Sequence, residues 1–477
     1  KNNLRRKAQK SQNTYDYDKY LKQKKKRKKT CQKAKKAYIK KQNENMDNNR
    51  MFRIAKNYKR IENNITEVID KNKQKLSDRK TISNKIVEYF SSVGNSIVEN
   101  TEIEFSKYHK KQELKDESRK ELEADITIEE IENVISNSKI RKAEGVDEIC
   151  PFMIKKGGKY FKKILKKVFN AIWIKKLYPN LWNKGQIIPL PKVDGNIIKI
   201  EDFRPICLLS CIAKVLEKII QDRLYKATIR EKWLPDFQYG FMRGKSTLDN
   251  LYILNRQIRR SFSSKKHMIG VFLDVRKAYD CVDRNLLIKI LEDKGIKGKT
   301  LSWIKRFLAN NRTNTVNYEG EISDDKVFTK GLPQGSPLSP LLFNIYVADI
   351  VNKHNKNILQ FADDIVIWRK DKDVNKAIDK INRDLEKLTK ELRKKNLILS
   401  EKKCVAVNFS LRRCTNKLGI RLNNEILEFK DNAKYLGLTF DRRLTWTKHI
   451  NNITLKLVLN MPAREVRDNE CSCRHIG

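Results

Sequence analysis

Two adjacent carboxylates between two apolar segments constrain the fold of this chain more than any other feature. The acids are Asp363 and Asp364, with Ile358–Leu359 before them and Ile365–Trp368 after them. β-Branched and aromatic residues on both sides of a short polar centre predict a buried β-hairpin with the acids at its tip. Because neighbouring buried anions are costly without a compensating cation, the pattern predicts a metal site.

A third acid, Asp274, ends the apolar segment Met268–Leu273. Adjacent strands of one sheet can bring Asp274 beside Asp363. Two such carboxylates can hold two divalent ions about 4 Å apart, an arrangement that serves phosphoryl transfer. This chemistry needs no nucleophilic side chain, which suits a chain with five His and no evident Ser-His-Asp or Cys-His set. Mg²⁺ is the expected metal, bound together with a phosphate substrate.

The charge of the chain favours a polyanionic partner. Its 477 residues carry 104 Lys and Arg against 58 Asp and Glu, a net charge of +46, and residues 19–41 contain thirteen basic residues and no acid. We therefore predict nucleic acid as the partner. The alternative is a solvated lysine-rich surface produced by biased codon usage. No apolar segment approaches the ~20 residues of a membrane span, so we expect no membrane partner.

Apolar periodicity and local signals predict the central secondary structure. Helical spacing occurs in Ile212–Leu224, Leu338–Tyr346 and Val374–Leu392, and strand character in Ile187–Lys192, Leu397–Leu399 and Cys404–Val407. Thr127 and Glu130 form a capping box that opens an earlier helix. This order predicts an α+β fold in which helices are segregated on one face of an antiparallel sheet.

Six ordered segments resemble the motifs of reverse transcriptases. Phe272–Asp280, Gly331–Pro340 and Phe361–Asp364 resemble the three catalytic motifs, and Asp202–Ser210, Gln238–Phe241 and Tyr435–Gly437 extend the match. Together they are most similar to the polymerase of non-LTR retrotransposons, particularly the jockey-like insect elements, over roughly residues 120–450. One departure is Ala143–Asp147, where family members usually have a proline before the glycine.

The resemblance implies a right-hand polymerase with fingers, a palm whose antiparallel sheet is backed by helices, and a partial thumb. We expect a basic arm, helical or disordered, at 1–60 and a helical N-terminal extension at 61–170. Fingers and palm would then occupy 171–440, the start of the thumb 441–460, and an irregular tail 461–477, for which a frame shift is one explanation. The chain begins at Lys1, and we expect it to be a fragment that lacks the endonuclease domain of full-length elements.

The resemblance also implies a role for each matching residue. Asp274 and Asp363 would ligate both metals, helped by the backbone carbonyl of Val275, with Asp364 as an accessory catalytic acid. Tyr279 would be the steric gate that excludes a 2′-OH; an ordinary core tyrosine is the alternative. The implied nucleotide-binding residues are Lys192, Arg204, Tyr279, Gln334, Gly335 and Lys403, and the implied primer-binding residues are Leu436 and Gly437. Lys192 could instead be a basic surface residue.

The implied activity is RNA-directed DNA polymerisation. Two Mg²⁺ ions, or Mn²⁺ as a substitute, would support addition of dNTPs to a primer 3′-OH, with an RNA template and a DNA primer as partners. We expect a ribonucleoprotein in the nucleus and cytoplasm, and the oligomeric state stays open. Two alternatives remain: a catalytically dead, nucleic-acid-binding remnant of such an element, and an intron-encoded maturase-type reverse transcriptase.

Overall fold

The computed structural model describes residues 65, 67–93, 112–140, 142–192, 195–351, 357–412, 419–423 and 425–459. Residues 64–453 form one compact unit, and residues 1–63 and 454–477 are grouped in another. The predicted basic arm at 1–60 and tail at 461–477 lie outside the described residues. Among the described helices, none has the length and apolar character needed to cross a membrane.

The helices agree with the periodicity of the sequence where that periodicity is strong. They are α1 Arg79–Ser92, α2 Asp116–Glu123, α3 Ile128–Asn137, α4 Pro151–Lys156, α5 Gly158–Ile174, α6 Cys211–Arg230, α7 Thr247–Ser263, α8 Arg284–Asp293, α9 Gly298–Phe307, α10 Ser339–Val347, α11 Val374–Lys394 and α12 Thr447–Leu459. Helices α6, α10 and α11 confirm the three predicted central helices. The capping box is also confirmed, since the Thr127 hydroxyl accepts from the Glu130 amide and the Glu130 carboxylate accepts from the Thr127 amide.

The strands form several separate sheets. They are β1 Glu67–Ile69, β2 Lys75–Leu76, β3 Lys184–Pro191, β4 Ile197–Lys199, β5 Phe203–Leu208, β6 His267–Asp274, β7 Thr313–Tyr318, β8 Glu321–Ile322, β9 Lys326–Val327, β10 Ile358–Phe361, β11 Asp364–Asp371, β12 Val405–Phe409, β13 Ile420–Leu422, β14 Glu425–Leu427, β15 Asn432–Tyr435 and β16 Leu438–Asp441. The predicted strand at Leu397–Leu399 is reduced to a single bridge between Leu399 and Val275.

The palm sheet has the order β10-β11-β6-β12, and its neighbouring strands are antiparallel. Alternate residues of β6 enter two different cores: Val271 belongs to the core that contains Ile381 of α11, and Phe272 to the core that contains Leu254 of α7. The expectation of helices on one face only is therefore wrong, because helices cover both faces. The α+β class itself is confirmed.

The fingers sheet is built on β3, which pairs antiparallel with β5 and parallel with β7. Pairing with β7 uses only Lys184–Ile187, so Pro189 and Pro191 lie in the part of β3 that pairs with β5 alone. Proline cannot donate to a ladder, which explains this position. Strand β7 also pairs with β8 and β9.

The predicted N-terminal extension is not purely helical. Strand β1 pairs with β2 and, in parallel, with β4, more than a hundred residues along the chain. Helix α1 shares a hydrophobic core with Val316 and Tyr318 of β7. The N-terminal segment is thus an integral layer of the fingers, while the domain boundaries given above stay predictions.

Candidate active site

The acid pair lies at the tip of the hairpin that the sequence predicts. Phe361 of β10 pairs with Asp364 of β11, so Ala362 and Asp363 form a two-residue turn. Ala362 has φ +57°, as the first central residue of a tight hairpin turn commonly requires. The turn holds Asp363 at the edge of the palm sheet.

Asp274 meets this acid pair across the neighbouring strands. The Cα atoms of Asp274 and Asp364 are register partners in the β6–β11 ladder, which corresponds to a separation of about 4.5–5.5 Å. Burial together with the charges of Asp363 and Asp274 raises the pKa of Asp364 to about 6. Burial, with a further contribution from Asp274, also raises the pKa of Asp363. The structure therefore brings the three predicted catalytic acids together.

The hairpin turn is held by a glutamine to which the sequence analysis assigned no role. The Gln238 side-chain oxygen accepts hydrogen bonds from the Gly240 amide at 2.8 Å and the Ala362 amide at 3.0 Å. Gln360 donates from its side chain to the Ala362 carbonyl at 2.9 Å. Both glutamines are buried. The signal that could have identified Gln238 is its position in the segment Gln238–Phe241, which resembles a family motif.

The donor set fits a divalent metal whose remaining ligands would come from substrate and water. No three His, Cys, Asp or Glu side chains among the described residues form a group that could hold a metal by themselves. The amides of Ser400 and Arg276 bond across to the Asp274 and Ile398 carbonyls, so strand alternation directs the Val275 carbonyl toward the β11 side. Clustered carboxylates with raised pKa values favour a cation, and a hard divalent ion prefers such oxygen ligands.

Lys403 supplies a positive charge beside these acids. Its Nζ lies 3.5 Å from Oδ2 of Asp274, and its side chain is 71% exposed. The residue ends a 3₁₀ turn, Glu401–Lys403, that precedes β12. The positive charge of the Lys403 ammonium partly balances the negative charge of the acid cluster.

Tyr279 lies next to the acids in an aromatic stack. Its ring is parallel to that of Phe343, with 4.5 Å between centroids, and meets Phe241 edge-on at 6.3 Å. The hydroxyl is buried and has no hydrogen-bond partner among the described residues. Burial raises the pKa of Tyr279, and the charge of Asp363 raises it further. The ring is therefore rigidly held near Asp363, and its role as a steric gate stays a prediction.

Gln334 and Gly335 contact Asp280 and the backbone of β5. The Gln334 side-chain amide donates to Asp280 at 2.8 Å, and its backbone carbonyl accepts from the Cys207 amide at 2.9 Å. Gly335 has φ +123°, and a Cβ there would lie 2.3 Å from the Cys207 carbonyl oxygen. The close neighbour that requires glycine is thus backbone of β5, whereas the sequence analysis attributed a binding role to this residue.

Lys192 and Arg204, with Lys403, form what we call the cation row. The positive charges of Arg204 and Lys403 oppose the rise in the pKa of Asp363. The same two charges also lower the pKa of Lys192. Lys192 donates from Nζ to the Glu201 carbonyl at 2.8 Å. Burial, more than its basic neighbours, lowers the pKa of Lys192. The three basic side chains thus lie within electrostatic reach of one another or of Asp363, and their role in nucleotide binding stays a prediction.

Buried charged residues support the loop that carries Gln334, and the sequence analysis did not identify them. Arg284 donates to the carbonyls of Ala309, Phe328, Lys330 and Gly331. The Glu217 carboxylate accepts from the Ser336 hydroxyl at 2.6 Å, and burial raises the pKa of Glu217. Arg284 and Glu217 lie in helical segments, where a charged residue alone predicts a solvated surface.

Leu436 and Gly437 form the two-residue turn of the β15–β16 hairpin. Their φ values are +46° and +88°, a combination typical of the type I′ turn. A Cβ on Gly437 would meet no atom within 4 Å. Leu436 packs against the core on the α7 face of the palm sheet. The role of Leu436 and Gly437 in primer binding stays a prediction.

Residues 190–440 match the family model described as reverse transcriptase (RNA-dependent DNA polymerase). Among curated proteins, the chain is 28% identical over 337 residues to the RNA-directed DNA polymerase from mobile element jockey of Drosophila melanogaster, covering 69% of this chain and 36% of the relative. It is 29% identical over 357 residues to the probable RNA-directed DNA polymerase from transposon X-element of the same species, covering 72% and 39%. The chain thus spans little more than a third of these relatives.

Solved structures with detectable similarity include telomerase from Candida tropicalis in complex with a fragment of telomeric RNA. The match has a TM-score of 0.37 and 15% identity, and it covers 66% of this chain and 58% of the other. The reverse transcriptase family model matches more than half of the chain and ends in the β15–β16 hairpin region. The chain belongs to the reverse transcriptase family, and its relatives are the polymerases of non-LTR retrotransposons.

Proposed function

We propose that this chain is an RNA-directed DNA polymerase. The reaction is attack of a primer 3′-OH on the α-phosphorus of a dNTP, which forms a phosphodiester bond and releases pyrophosphate. The observation that carries this proposal is the register pairing of Asp274 with Asp364, one residue from Asp363. Such a carboxylate cluster at the edge of a sheet suits phosphoryl transfer, which depends on positioning and charge stabilisation.

Asp274 and Asp363 would hold two Mg²⁺ ions together with the Val275 carbonyl, and Mn²⁺ would serve as a substitute. When bound, the ions would supply activation of the 3′-OH and stabilisation of charge on the leaving group. The cation row would bind the triphosphate, where the planar guanidinium of Arg204 suits phosphate oxygens. Tyr279 would favour deoxynucleotides, and Leu436 and Gly437 would contact the primer end.

RNA template and DNA primer are the proposed partners. The net charge of +46 supports a nucleic-acid partner. The relatives are named RNA-directed DNA polymerases, which supports RNA as the template. A basic segment at Lys24–Lys29, which could act as a nuclear import signal, leads us to propose a ribonucleoprotein that is present in cytoplasm and nucleus.

Primer extension by the purified 477-residue chain tests the activity. With an RNA template, a DNA primer, dNTPs and Mg²⁺, we expect extension by the wild type and none by Asp363→Asn. Asp325→Asn is the matched control, because Asp325 is an exposed acid in the loop between β8 and β9. Equal extension by Asp363→Asn would reject the proposed site.

A binding measurement separates the polymerase from an inactive remnant. Nucleic-acid affinity that falls steeply with salt, without incorporation under any divalent metal, would select the nucleic-acid-binding remnant. Incorporation on an RNA template supports the polymerase.

A further inference from the structure

Asn250 is a polar residue of α7 that is completely buried, with an exposed fraction of 0%. Leu254 and Ile258 follow it at helical spacing on the same face of α7, and both belong to the hydrophobic core on that side of the palm sheet. An amide at the edge of such a core costs free energy unless its polar atoms are paired. The position of Asn250 therefore depends on its hydrogen-bond partners.

The Asn250 side chain bridges β10 and β15. Its Nδ2 donates to the Gln360 carbonyl at 3.3 Å, and its Oδ1 accepts from the Tyr435 hydroxyl at 3.2 Å. Gln360 lies in β10, three residues before Asp363, and Tyr435 immediately precedes the Leu436–Gly437 turn. One side chain thus connects the hairpin that carries the acid pair to the tip of the β15–β16 hairpin.

The chemistry of the two partners fixes the orientation of this bridge. A backbone carbonyl can only accept a hydrogen bond, so the Asn250 amide nitrogen faces Gln360 and its oxygen faces Tyr435. Burial raises the pKa of Tyr435, the charge of Asp364 raises it further, and the hydrogen bond with Asn250 opposes the rise. The hydroxyl is therefore protonated at neutral pH and donates to Asn250 next to the acid cluster.

The β15–β16 hairpin pairs with no strand of the palm sheet in the part of the chain that the structure describes. At its base, the Lys430 amide donates to the Ala406 carbonyl of β12 at 2.8 Å. At its tip, the ring centroid of Tyr435 lies 5.5 Å from that of Phe272 on β6. Apolar packing is non-directional, whereas a hydrogen bond restrains both distance and angle. The bond to Asn250 thus adds a directional restraint at the tip.

We propose that Asn250 is a positioning residue that sets the place of the β15–β16 tip relative to Asp363. This inference rests on the proposed polymerase function and on the proposed contact of Leu436 and Gly437 with the primer. Without the bridge the tip would shift and carry the primer 3′-OH out of line with the α-phosphorus, and a misplacement of about 1 Å can cost up to ~10²-fold in rate. Neither Asn250 nor Tyr435 is among the proposed nucleotide-binding residues, so dNTP affinity should be retained.

Single-turnover primer extension at varied dNTP concentration tests the proposal. We expect Asn250→Leu, which nearly keeps the side-chain volume, to lower the maximal rate at least about tenfold. The dNTP concentration at half-maximal rate and the Kd for primer–template should change less than about twofold. Tyr435→Phe removes only the hydroxyl and should lower the maximal rate in the same way. An unchanged maximal rate in either variant, with normal extension by the wild type, would overturn the inference and leave the polymerase assignment intact.

The double variant separates positioning from stability. Asn250→Leu alone leaves the Tyr435 hydroxyl buried without this partner, which should lower the melting temperature. Adding Tyr435→Phe removes the orphaned hydroxyl, so the melting temperature should rise again while the maximal rate stays low and falls no further. Recovery of the rate together with the melting temperature would mean that Asn250 acts through stability alone, and would overturn its positioning role.

Thr300→Val is the matched control for the loss of a buried hydrogen bond. The Thr300 hydroxyl, on α9, is buried and donates to the Leu122 carbonyl at 2.6 Å. We expect this variant to lower the melting temperature and to leave the maximal rate unchanged. An equal loss of rate in Thr300→Val would show that the assay follows stability, and would remove the support for Asn250.

Amide hydrogen exchange, measured by mass spectrometry, detects the bridge without catalysis. Peptides within residues 432–441 should exchange faster in Asn250→Leu and Tyr435→Phe than in the wild type, and at the wild-type rate in Thr300→Val. Unchanged exchange in the first two variants would overturn the bridge. Faster exchange in a chain whose wild type extends no primer would support the bridge and reject the polymerase activity.

Discussion

Gln238 and Ala362 are joined by a buried hydrogen bond that fixes the turn between the two palm strands carrying the acid pair. The Gln238 side-chain oxygen accepts from the Ala362 amide at 3.0 Å and also from the Gly240 amide at 2.8 Å. One side chain thus satisfies two backbone donors at the position where the chain reverses. The placement of Asp363, the next residue, depends on this contact.

Gln238→Leu should therefore lower both stability and activity. The substitution orphans two buried amides, each at a cost of about 1–3 kcal/mol, and frees the turn to shift Asp363. We expect a lower melting temperature and a kcat reduced by more than tenfold, measured by thermal unfolding and primer extension. Gln221→Leu, on the half-buried side of α6, is the control and should retain activity. A normal kcat in Gln238→Leu would contradict the role given to this contact.

Gly240→Ala should be as damaging, for a steric reason. A Cβ at Gly240 would lie 2.3 Å from the Ala362 amide nitrogen, closer than real Cβ contacts allow. The hairpin or the Gln238–Phe241 segment would have to move, so we expect loss of extension with retained nucleic-acid binding. Gly195→Ala is the control, because the nearest atom to its Cβ is 3.8 Å away. Full activity of Gly240→Ala would show that the turn tolerates displacement.

Local signals in the sequence predicted those parts of the fold that depend on neighbouring residues. Helix α11 and the β10–β11 hairpin follow from apolar spacing within a single segment. Strands β1 and β2 were missed because they have only three and two residues, and because β1 pairs with β4, far along the chain. Only tertiary contacts decide such pairings.

Local sequence signals likewise identify only part of the candidate active site. Asp274, Asp363 and Asp364 were found because acids that end or interrupt apolar strands are unusual. The sequence could not reveal the burial of Arg284, which is compensated by four backbone carbonyls, one after α9 and three in the loop after β9. Nor could it reveal that Gly335 is required by the Cys207 carbonyl, since the approach of another strand has no local signature.

Asp364→Asn should stabilise the metal-free protein at neutral pH. The pKa of Asp364 is raised from 3.8 to about 6 by burial and by its acidic neighbours, so the folded state binds a proton more tightly than the unfolded state. Stability linked to this group is fully present below about pH 4 and is lost as the pH rises through about 6. The melting-temperature gain of Asp364→Asn should thus be largest at pH 7–8 and smallest near pH 4. A gain that grows toward acid pH would contradict the raised pKa.

Replacement of Tyr279 should relax sugar selection. Tyr279→Val removes the ring that is stacked on Phe343 at 4.5 Å, and a 2′-OH would then fit in its place. We expect the ratio of kcat/KM for dNTP over rNTP to fall by at least about tenfold, equivalent to ~1.4 kcal/mol. Tyr279→Phe should keep the wild-type ratio, because the hydroxyl has no hydrogen-bond partner in the described part of the chain. An unchanged ratio in Tyr279→Val would mean that Tyr279 is an ordinary core tyrosine.

Divalent metal should stabilise the folded chain through Asp274 and Asp363. A ligand that binds only the folded state raises its stability by RT ln(1 + [L]/Kd), about 1.4 kcal/mol at ten times Kd. We expect Mg²⁺ to raise the melting temperature of metal-stripped wild type and of Asp325→Asn, and to have little effect on Asp363→Asn. Lys403→Gln should lower the Mg²⁺ concentration at half-effect, because it removes an ammonium 3.5 Å from Asp274 that repels the ion. An equal Mg²⁺ shift in Asp363→Asn would mean that the ion binds elsewhere on the protein.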